Sequence, residues 1–369
     1  MIIKEIEISD YRNLSHVILK PIPQINVIYG QNAQGKTNLL EAMWIFTGGH
    51  SFRGAKDSEL IAFGKTTFEM NMKFFSEERE QDAKINMTNG RRSVTINDIP
   101  KKSASSLVGK FCAVVFSPQH LSLVKEGPSN RRNFIDGSLC QSKPAYAKLL
   151  MHYNRTLSQR NMLLKEITKH PELKDTLEIW DEKLVKFGVS IIKERFSYLE
   201  RLQPIVEEIY HGISSQKEHF SLKYDSSFLK EGQTEIETCF FEKLKSSRKS
   251  DFMVGYTTVG PHRDDISFYI NEISARSFGS QGQQRSVALA LKLAESKVME
   301  SITGDKPVMF LDDVMSELDE NRQDYILNHL KDQQVFNTCC DPNTIHQLKQ
   351  GALFKIHQGE LIEQMILKS

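Results

Sequence analysis

Gly30-Gln31-Asn32-Ala33-Gln34-Gly35-Lys36-Thr37 fits the pattern G-x-x-x-x-G-K-[ST] at every position. The run before it, Ile25-Asn26-Val27-Ile28-Tyr29, is short and β-branched and reads as a buried strand. The run after it, Asn38 to Phe46, has helical composition and length. A strand, a glycine-bearing loop and a helix make a phosphate cradle, because backbone N–H groups wrap the oxygens and the helix N-terminus adds its positive dipole end. On this reading Gly30, Gln31, Asn32, Ala33, Gln34 and Gly35 surround the phosphates of a nucleotide. Lys36 reaches the β- and γ-phosphates, and the Thr37 hydroxyl binds Mg2+. The competing reading is a glycine turn that merely carries a lysine; the flanking strand and helix weigh against it.

With 369 residues the chain has room for two or three domains. A hydrophobic share of 39% and a charged share of 26% are ordinary for a globular protein. The net charge of +1 excludes a polycation, so any nucleic-acid surface is a local patch. No apolar run approaches the roughly 20 residues that cross a bilayer. Met1 to Ile8 alternates like a strand rather than a signal peptide. The 5 cysteines show no C-x-x-C spacing, which argues against a disulfide framework or a zinc site. The adjacent Cys339-Cys340 reads as a strand end in a reducing cytoplasm.

Strands are expected over 2–8, 16–20 and 25–29, and again over 67–75, 83–88 and 92–97, with Asn89-Gly90 as a hairpin turn. The loop Gly48 to Gly54 carries one arginine, Arg53, and 111–116 is a continuous apolar strand. From Ser117 to about Phe252 helical periodicity takes over, with helices near 129–141, 143–169, 173–211 and 234–247. In the second, Leu149, Leu150, Tyr153, Leu157, Leu163 and Leu164 share one arc, and Lys148, Arg155, Lys165 and Lys169 face away. That basic stripe is either a solvated helix face or a contact surface for a phosphate backbone. After Gly255 alternation returns, with strands at 266–270, 308–311, 335–339 and 353–356 and helices at 281–301 and 320–333. The expected architecture is α/β: a β-rich lobe from 1–117 and 255–369, with a helical lobe, 118–254, inserted in it.

Further signals lie in the order a nucleotide-hydrolysing machine needs. Val308-Met309-Phe310-Leu311-Asp312-Asp313 is a buried strand running into two acids. Asp312 is the candidate to hold magnesium through water, and Asp313 the candidate to polarise the attacking water. Gln119, after strand 111–116, offers an amide to bridge metal and water. Ser280-Gln281-Gly282-Gln283-Gln284-Arg285 opens the long helix and reads as a second anion site, with a plain helix cap as the alternative. Ser316-Glu317-Leu318-Asp319 opens the next helix.

A helical block stands between the phosphate loop and the acidic strand, and a second anion-binding cap precedes that strand. The chain thereby resembles the ABC ATPases of the SMC type and, within them, the RecF family of bacterial recombination proteins. Besides the motifs above, the resemblance rests on Tyr11-Arg12-Asn13-Leu14, on Pro128 to Asp136 (PSNRRNFID) and on Gly260-Pro261-His262-Arg263-Asp264-Asp265. It covers essentially the whole chain and implies an ABC ATPase head. In that class the signature cap binds the γ-phosphate of nucleotide held by another subunit. The implied active form is therefore an ATP-dependent homodimer in which Lys36 of one chain works with Ser280, Gly282 and Gln283 of the other. Family members bind single- and double-stranded DNA and act with RecO and RecR to direct RecA onto gapped DNA.

Two departures from the wider class stand out. Asp313 replaces the usual glutamate, which implies slow hydrolysis, and Thr338-Cys339-Cys340-Asp341 lacks the histidine that senses the γ-phosphate in many transporters. That missing histidine counts against the second functional reading, the soluble ATPase subunit of a membrane transporter; a small-molecule kinase is the third. His262 and Arg263 face either a ligand or a hydrogen-bonded turn. Arg131 and Arg132 contact phosphates or pair with Glu126 and Asp136, and Arg12 is a candidate to approach the phosphates.

Overall fold

Alternation of apolar and polar residues decides the first sheet. In the computed structural model, which describes residues 1–88, 90–167, 169–214, 218–229, 235–342 and 350–367, the chain begins with β1 (Ile2–Tyr11), β2 (Leu14–Leu19), β3 (Ile25–Tyr29) and α1 (Lys36–Ile45). There follow β4 (Thr67–Ser76), β5 (Arg79–Thr88), β6 (Arg91–Ile96), β7 (Ile99–Lys101) and β8 (Ala113–Phe116). Next come α2 (Ser122–Lys125), α3 (Pro128–Ser142), α4 (Pro144–Ile167), α5 (Leu177–Ile213), β9 (Phe220–Asp225) and α6 (Ile236–Val254). After these stand β10 (Asp265–Ile270), β11 (Ile273–Ser274), α7 (Ala275–Phe278) and α8 (Gln281–Thr303). The last elements are β12 (Val308–Asp312), α9 (Glu320–His329), β13 (Val335–Cys339), β14 (Gly351–His357) and β15 (Glu360–Leu367).

The chain forms two compact units, one of Met1–Leu121, Ile209–Gln216 and Ser286–Ser369 and one of Ser122–Glu208 and Lys217–Arg285. The first holds two 6-stranded sheets. One, in the order β2-β1-β4-β5-β6-β7, is antiparallel and buries alternate residues such as Phe68, Met70, Met72 and Phe74 of β4. The other runs β15-β14-β3-β13-β12-β8 and is parallel except for β15 at its edge. Its inner strands β12 and β13 are buried at every residue, as a sheet covered on both faces requires.

The second unit is mainly helical with one small antiparallel sheet, β11-β10-β9. Strand β9 lies inside the stretch read from sequence as helical, and it pairs with β10 from Asp225↔Asp265 to Phe220↔Ile270. That pairing moves the return to the β-rich part from the expected Gly255 to Ser286. The α4 face is also rotated from the expected arc. Tyr146, Tyr153, Thr156, Arg160, Leu164 and Ile167 are buried, while Leu149, Leu150, Leu157 and Leu163 are half-buried. Arg160 enters the core because Asp181 and Asp251 neutralise it, an arrangement invisible to a count of apolar residues. Asn89, half of the expected hairpin turn, lies outside the described residues.

Candidate nucleotide site

The loop after β3 turns back on itself at glycines that no other residue could replace without strain. Gly30 has φ 151°, and a Cβ there would lie 2.3 Å from the carbonyl oxygen of Ile356. Gly35, at φ 111°, caps α1 without any side-chain bond, so the helix keeps its N-terminal donors for another partner. Ala33 also takes a left-handed conformation, with φ 64°. Lys36 is 8% exposed and folds over the loop, its Nζ donating to the carbonyls of Gly30 at 2.6 Å and Gln31 at 2.9 Å. An ammonium held this way sits on the loop's own acceptors, which phosphate oxygens can replace. Around the rim, Asn38 Nδ2 donates to Asn13 Oδ1 at 2.7 Å and Gly359 N–H to Gln34 O at 3.0 Å. Cys340 Sγ lies 3.1 Å from Asn32 Oδ1.

Asp312 ends β12 at 8% exposure, where its Oδ1 accepts from Thr37 Oγ1 at 2.8 Å and from Thr338 Oγ1 at 2.9 Å. Burial raises its carboxyl above its ordinary value, and the two hydroxyls pull the other way. Oδ2 accepts no bond among the described residues, which leaves one carboxylate oxygen for a ligand. Asp313 is exposed and left-handed at φ 55°, with its N–H donating to Thr338 Oγ1 at 2.9 Å. Ser316 Oγ donates to Asp313 Oδ1 at 2.9 Å. Thr37 and Asp312 offer only oxygen donors, the set a hard cation such as Mg2+ takes. Gln119 is exposed on the turn Pro118–Leu121 after β8; β8 runs parallel to β12, so the turn leaves the same sheet edge as Asp312. Gln119 bonds to none of these groups among the described residues.

The structure brings together Gly30 to Thr37, Asp312 and Asp313, all at the carboxyl ends of parallel strands. Arg12, the candidate to approach the phosphates, pairs its guanidinium with the fully buried Glu41 and so braces α1. Ser51 Oγ donates to that same Glu41. Sequence reading missed Thr338, and it gave Arg53 no role although Nη1 donates to Asn38 Oδ1 at 2.8 Å. A hydroxyl at the end of an apolar strand next to the acidic strand was the available signal for Thr338.

Within the second unit, Ser280 and Gln283 form a reciprocal cap on α8. Gln283 N–H donates to Ser280 Oγ at 3.2 Å and Ser280 N–H to Gln283 Oε1 at 2.8 Å. A Cβ on Gly282 would meet nothing within 4 Å, and the Gln283 amide donates to Glu218 Oε1 at 2.7 Å. His262 is a turn residue: its Nδ1 meets Tyr153 Oη at 2.7 Å and its Nε2 the carbonyl of Thr257 at 3.1 Å. Burial, with nearby arginines, lowers its pKa to about 4. Arg131 is structural too, but its carboxylate partner is Asp265 at 2.7 and 2.9 Å, not Asp136. Arg132 donates to the Asp264 carbonyl at 2.7 Å, and Arg263 stacks on Tyr256 at 4.8 Å. Lys148, Arg155, Lys165 and Lys169 are all exposed, and none has an ionic partner among the described residues.

The chain matches the family model "RecF/RecN/SMC N terminal domain" over residues 2–361. It is 43% identical over 367 residues to the DNA replication and repair protein RecF of Agathobacter rectalis, covering 98% of this chain and 99% of that one. It is 40% identical over 369 residues to the RecF of Ruminiclostridium cellulolyticum, covering 98% and 99%. A solved structure of the recombination mediator protein RecF with ATP superposes with a TM-score of 0.91 at 39% identity, covering 100% of this chain and 98% of that one. The Smc head domain from Pyrococcus furiosus shares the fold, with a TM-score of 0.57 at 15% identity over 100% of this chain and 96% of that one. A phosphate loop and an acidic strand end held together by one hydrogen-bonded hydroxyl, in a chain this similar to RecF proteins over its whole length, place it in the RecF family of SMC-type ABC ATPases.

Proposed function

We propose that this chain is an ATP-dependent DNA-binding protein of recombinational repair and replication restart, and that its ATPase is slow and stimulated by DNA. The observation that carries the reading is the Thr37–Asp312 bond, which ties the phosphate loop to the acidic strand in a chain about two-fifths identical to RecF proteins. Its solved neighbours, described as RecF with ATP in the RecFOR pathway, support the same reading, and relatives that are repair proteins disfavour a transport subunit.

In the proposed site, the backbone donors of Gly30 to Gly35 and the N-terminus of α1 bind the phosphates, and Lys36 leaves its carbonyls for the β- and γ-phosphate oxygens. Thr37 and Asp312 would hold Mg2+, which when bound would withdraw charge from those oxygens. A water oxygen attacks the γ-phosphorus as the bond to the β–γ bridging oxygen breaks, so ADP and phosphate leave. Asp313 takes the water's proton and Gln119 orients the water. Asp313 is one methylene shorter than glutamate, which sets the water farther from its base and slows the step.

The cap on α8 gives the proposed site its second half. Ser280, Gly282 and Gln283 of one chain meet the γ-phosphate bound by a second chain, so ATP acts as the trigger for a homodimer. DNA, single- or double-stranded, then binds with the help of Lys148, Arg155, Lys165 and Lys169, and RecO- and RecR-like mediators direct RecA to the gap. Light scattering without nucleotide, with ADP and with ATP, each with and without DNA, tests the reading. A dimer with ATP alone, extended by DNA, is the expected result; a monomer under every condition would refute it. A Ser280→Arg variant should bind ATP as a monomer and fail to dimerise.

A further inference from the structure

We infer that Thr338 is a positioning residue for both acids of the site: its one hydroxyl orients the Asp312 carboxylate and fixes the backbone of Asp313. This rests on the ATPase reading above and adds a residue to it. Strand β13 lies between β3, which leads into the phosphate loop, and β12, which ends in the acids. In register, Thr338 stands opposite Ile28 on one side and Asp312 on the other. It is 1% exposed, and its hydroxyl is used in both directions.

As a donor, Oγ1 gives its proton to Asp312 Oδ1 at 2.9 Å. Thr37 donates to that same oxygen, so both hydroxyls load Oδ1, and Oδ2 accepts no bond among the described residues. As an acceptor, Oγ1 takes the N–H of Asp313 at 2.9 Å. Asp313 sits at φ 55°, a left-handed conformation that aspartate tolerates better than most residues and that the bond from its N–H holds in place. Ser316 also bonds to Asp313, donating to its carbonyl at 3.1 Å and its carboxylate at 2.9 Å. Ser316 is exposed and Thr338 is not, so the buried anchor is the threonine. Without the hydroxyl, Asp312 rotates more freely and the Asp313 N–H loses its partner. Phosphate binding by Gly30 to Lys36 touches neither bond. Thr338 should therefore act on the hydrolytic step and leave ATP affinity measured without Mg2+ alone.

The test uses the full chain with Thr338→Val, Thr338→Ala and Thr338→Ser, measuring the affinity for a fluorescent ATP analogue, steady-state hydrolysis and thermal unfolding. Valine keeps the shape and β-propensity and removes both bonds, alanine removes them without bulk, and serine keeps the hydroxyl. Loss of a hydrogen bond to a charged group predicts kcat lower by about tenfold or more in Val and Ala. ATP affinity measured without Mg2+ should stay within about threefold, and Ser should hydrolyse within about threefold of the parent. Val or Ala hydrolysing at the parent rate, or Ser failing to recover it, would overturn the inference. So would affinity falling in step with kcat. A parent chain that binds no ATP would instead refute the reading of the site itself, and the parent measurement separates the two failures.

Discussion

The carboxyl edge of the parallel sheet in the first unit and the core of the second both bury acids beside hydroxyls and cations, with opposite results. In the second unit the charged groups pair mainly with one another, although Arg160 Nη2 finds no partner among the described residues. Arg160, fully buried, donates to Asp181 at 2.6 Å, to Asp251 at 2.7 Å and to Thr257 at 2.8 Å. Arg195 holds Asp136 with two bonds of 2.9 and 2.8 Å and donates to the Pro261 carbonyl besides. At the sheet edge the groups stay open: Lys36 rests on loop carbonyls, Asp312 keeps one oxygen unbonded among the described residues and Asp313 projects from a left-handed backbone. Closed polar networks fix a fold, and half-satisfied ones at a strand end wait for a ligand.

The largest effect should come from opening the closed network. Arg160→Met leaves Asp251 buried without its cation and should cost about 3–5 kcal/mol of stability. Urea unfolding followed by circular dichroism measures it, and a loss under about 1 kcal/mol would mean that the network is incidental. Next, Lys36→Ala should weaken ATP binding by about a hundredfold, the loss of bonds worth about 3 kcal/mol, while leaving the unfolding midpoint within about 2 °C. If stability fell as much as affinity, Lys36 would belong with the closed networks rather than the open site.

A smaller effect follows from His262. Burial holds its pKa at about 4, below its ordinary value of 6.5, so the unfolded chain takes up more protons between those values. Stability from this residue is complete above that window and falls as pH drops through it, by about 2 kcal/mol between pH 7 and pH 5. His120, lowered to about 3 by burial and by Lys292, adds a slope of the same sign. Unfolding at several pH values, repeated with His262→Gln, should show a shallower slope in the variant; equal slopes would leave the histidine no part in the pH dependence. The smallest stability effect belongs to the stripe. Neutralising Lys148, Arg155, Lys165 and Lys169 should change stability by less than about 0.5 kcal/mol per site. DNA affinity, however, should fall, and its logarithmic salt slope should become shallower by about one for each phosphate no longer neutralised. An unchanged slope would make the stripe a solvated face.

The same contrast explains what the sequence disclosed. Gly30 to Thr37 and Phe310 to Asp313 were legible because a phosphate cradle and a buried acidic strand each impose local rules, on glycine placement and on unbroken apolarity. Strands β3, β12 and β13 followed from their β-branched or apolar runs. Strand β15 went unread because its residues, Glu360 to Leu367, are exposed or half-exposed and carry no clean alternation. Strand β9 went unread because its evidence is its partner β10, 40 residues on at Asp265↔Asp225. Thr338 and Arg160 were missed for one reason: the roles of a buried hydroxyl and a buried guanidinium are set by residues far away in sequence. Gly260 to Asp265 reads like chemistry, yet His262, Asp264 and Asp265 are all bonded inside their own unit.

The proposed composite site joins Gly30 to Thr37 of one molecule to Ser280 to Gln283 of a second, so each chain carries two halves of different sites. Mixing two inactive variants tests this most directly. Lys36→Ala keeps the α8 cap and loses the phosphate loop, and Ser280→Arg keeps the loop and loses the cap. Each alone should be inactive in ATP hydrolysis with DNA present, and activity should return on mixing, because a mixed dimer holds one intact composite site. A mixture as inactive as its components, or a Ser280→Arg chain fully active by itself, would contradict it.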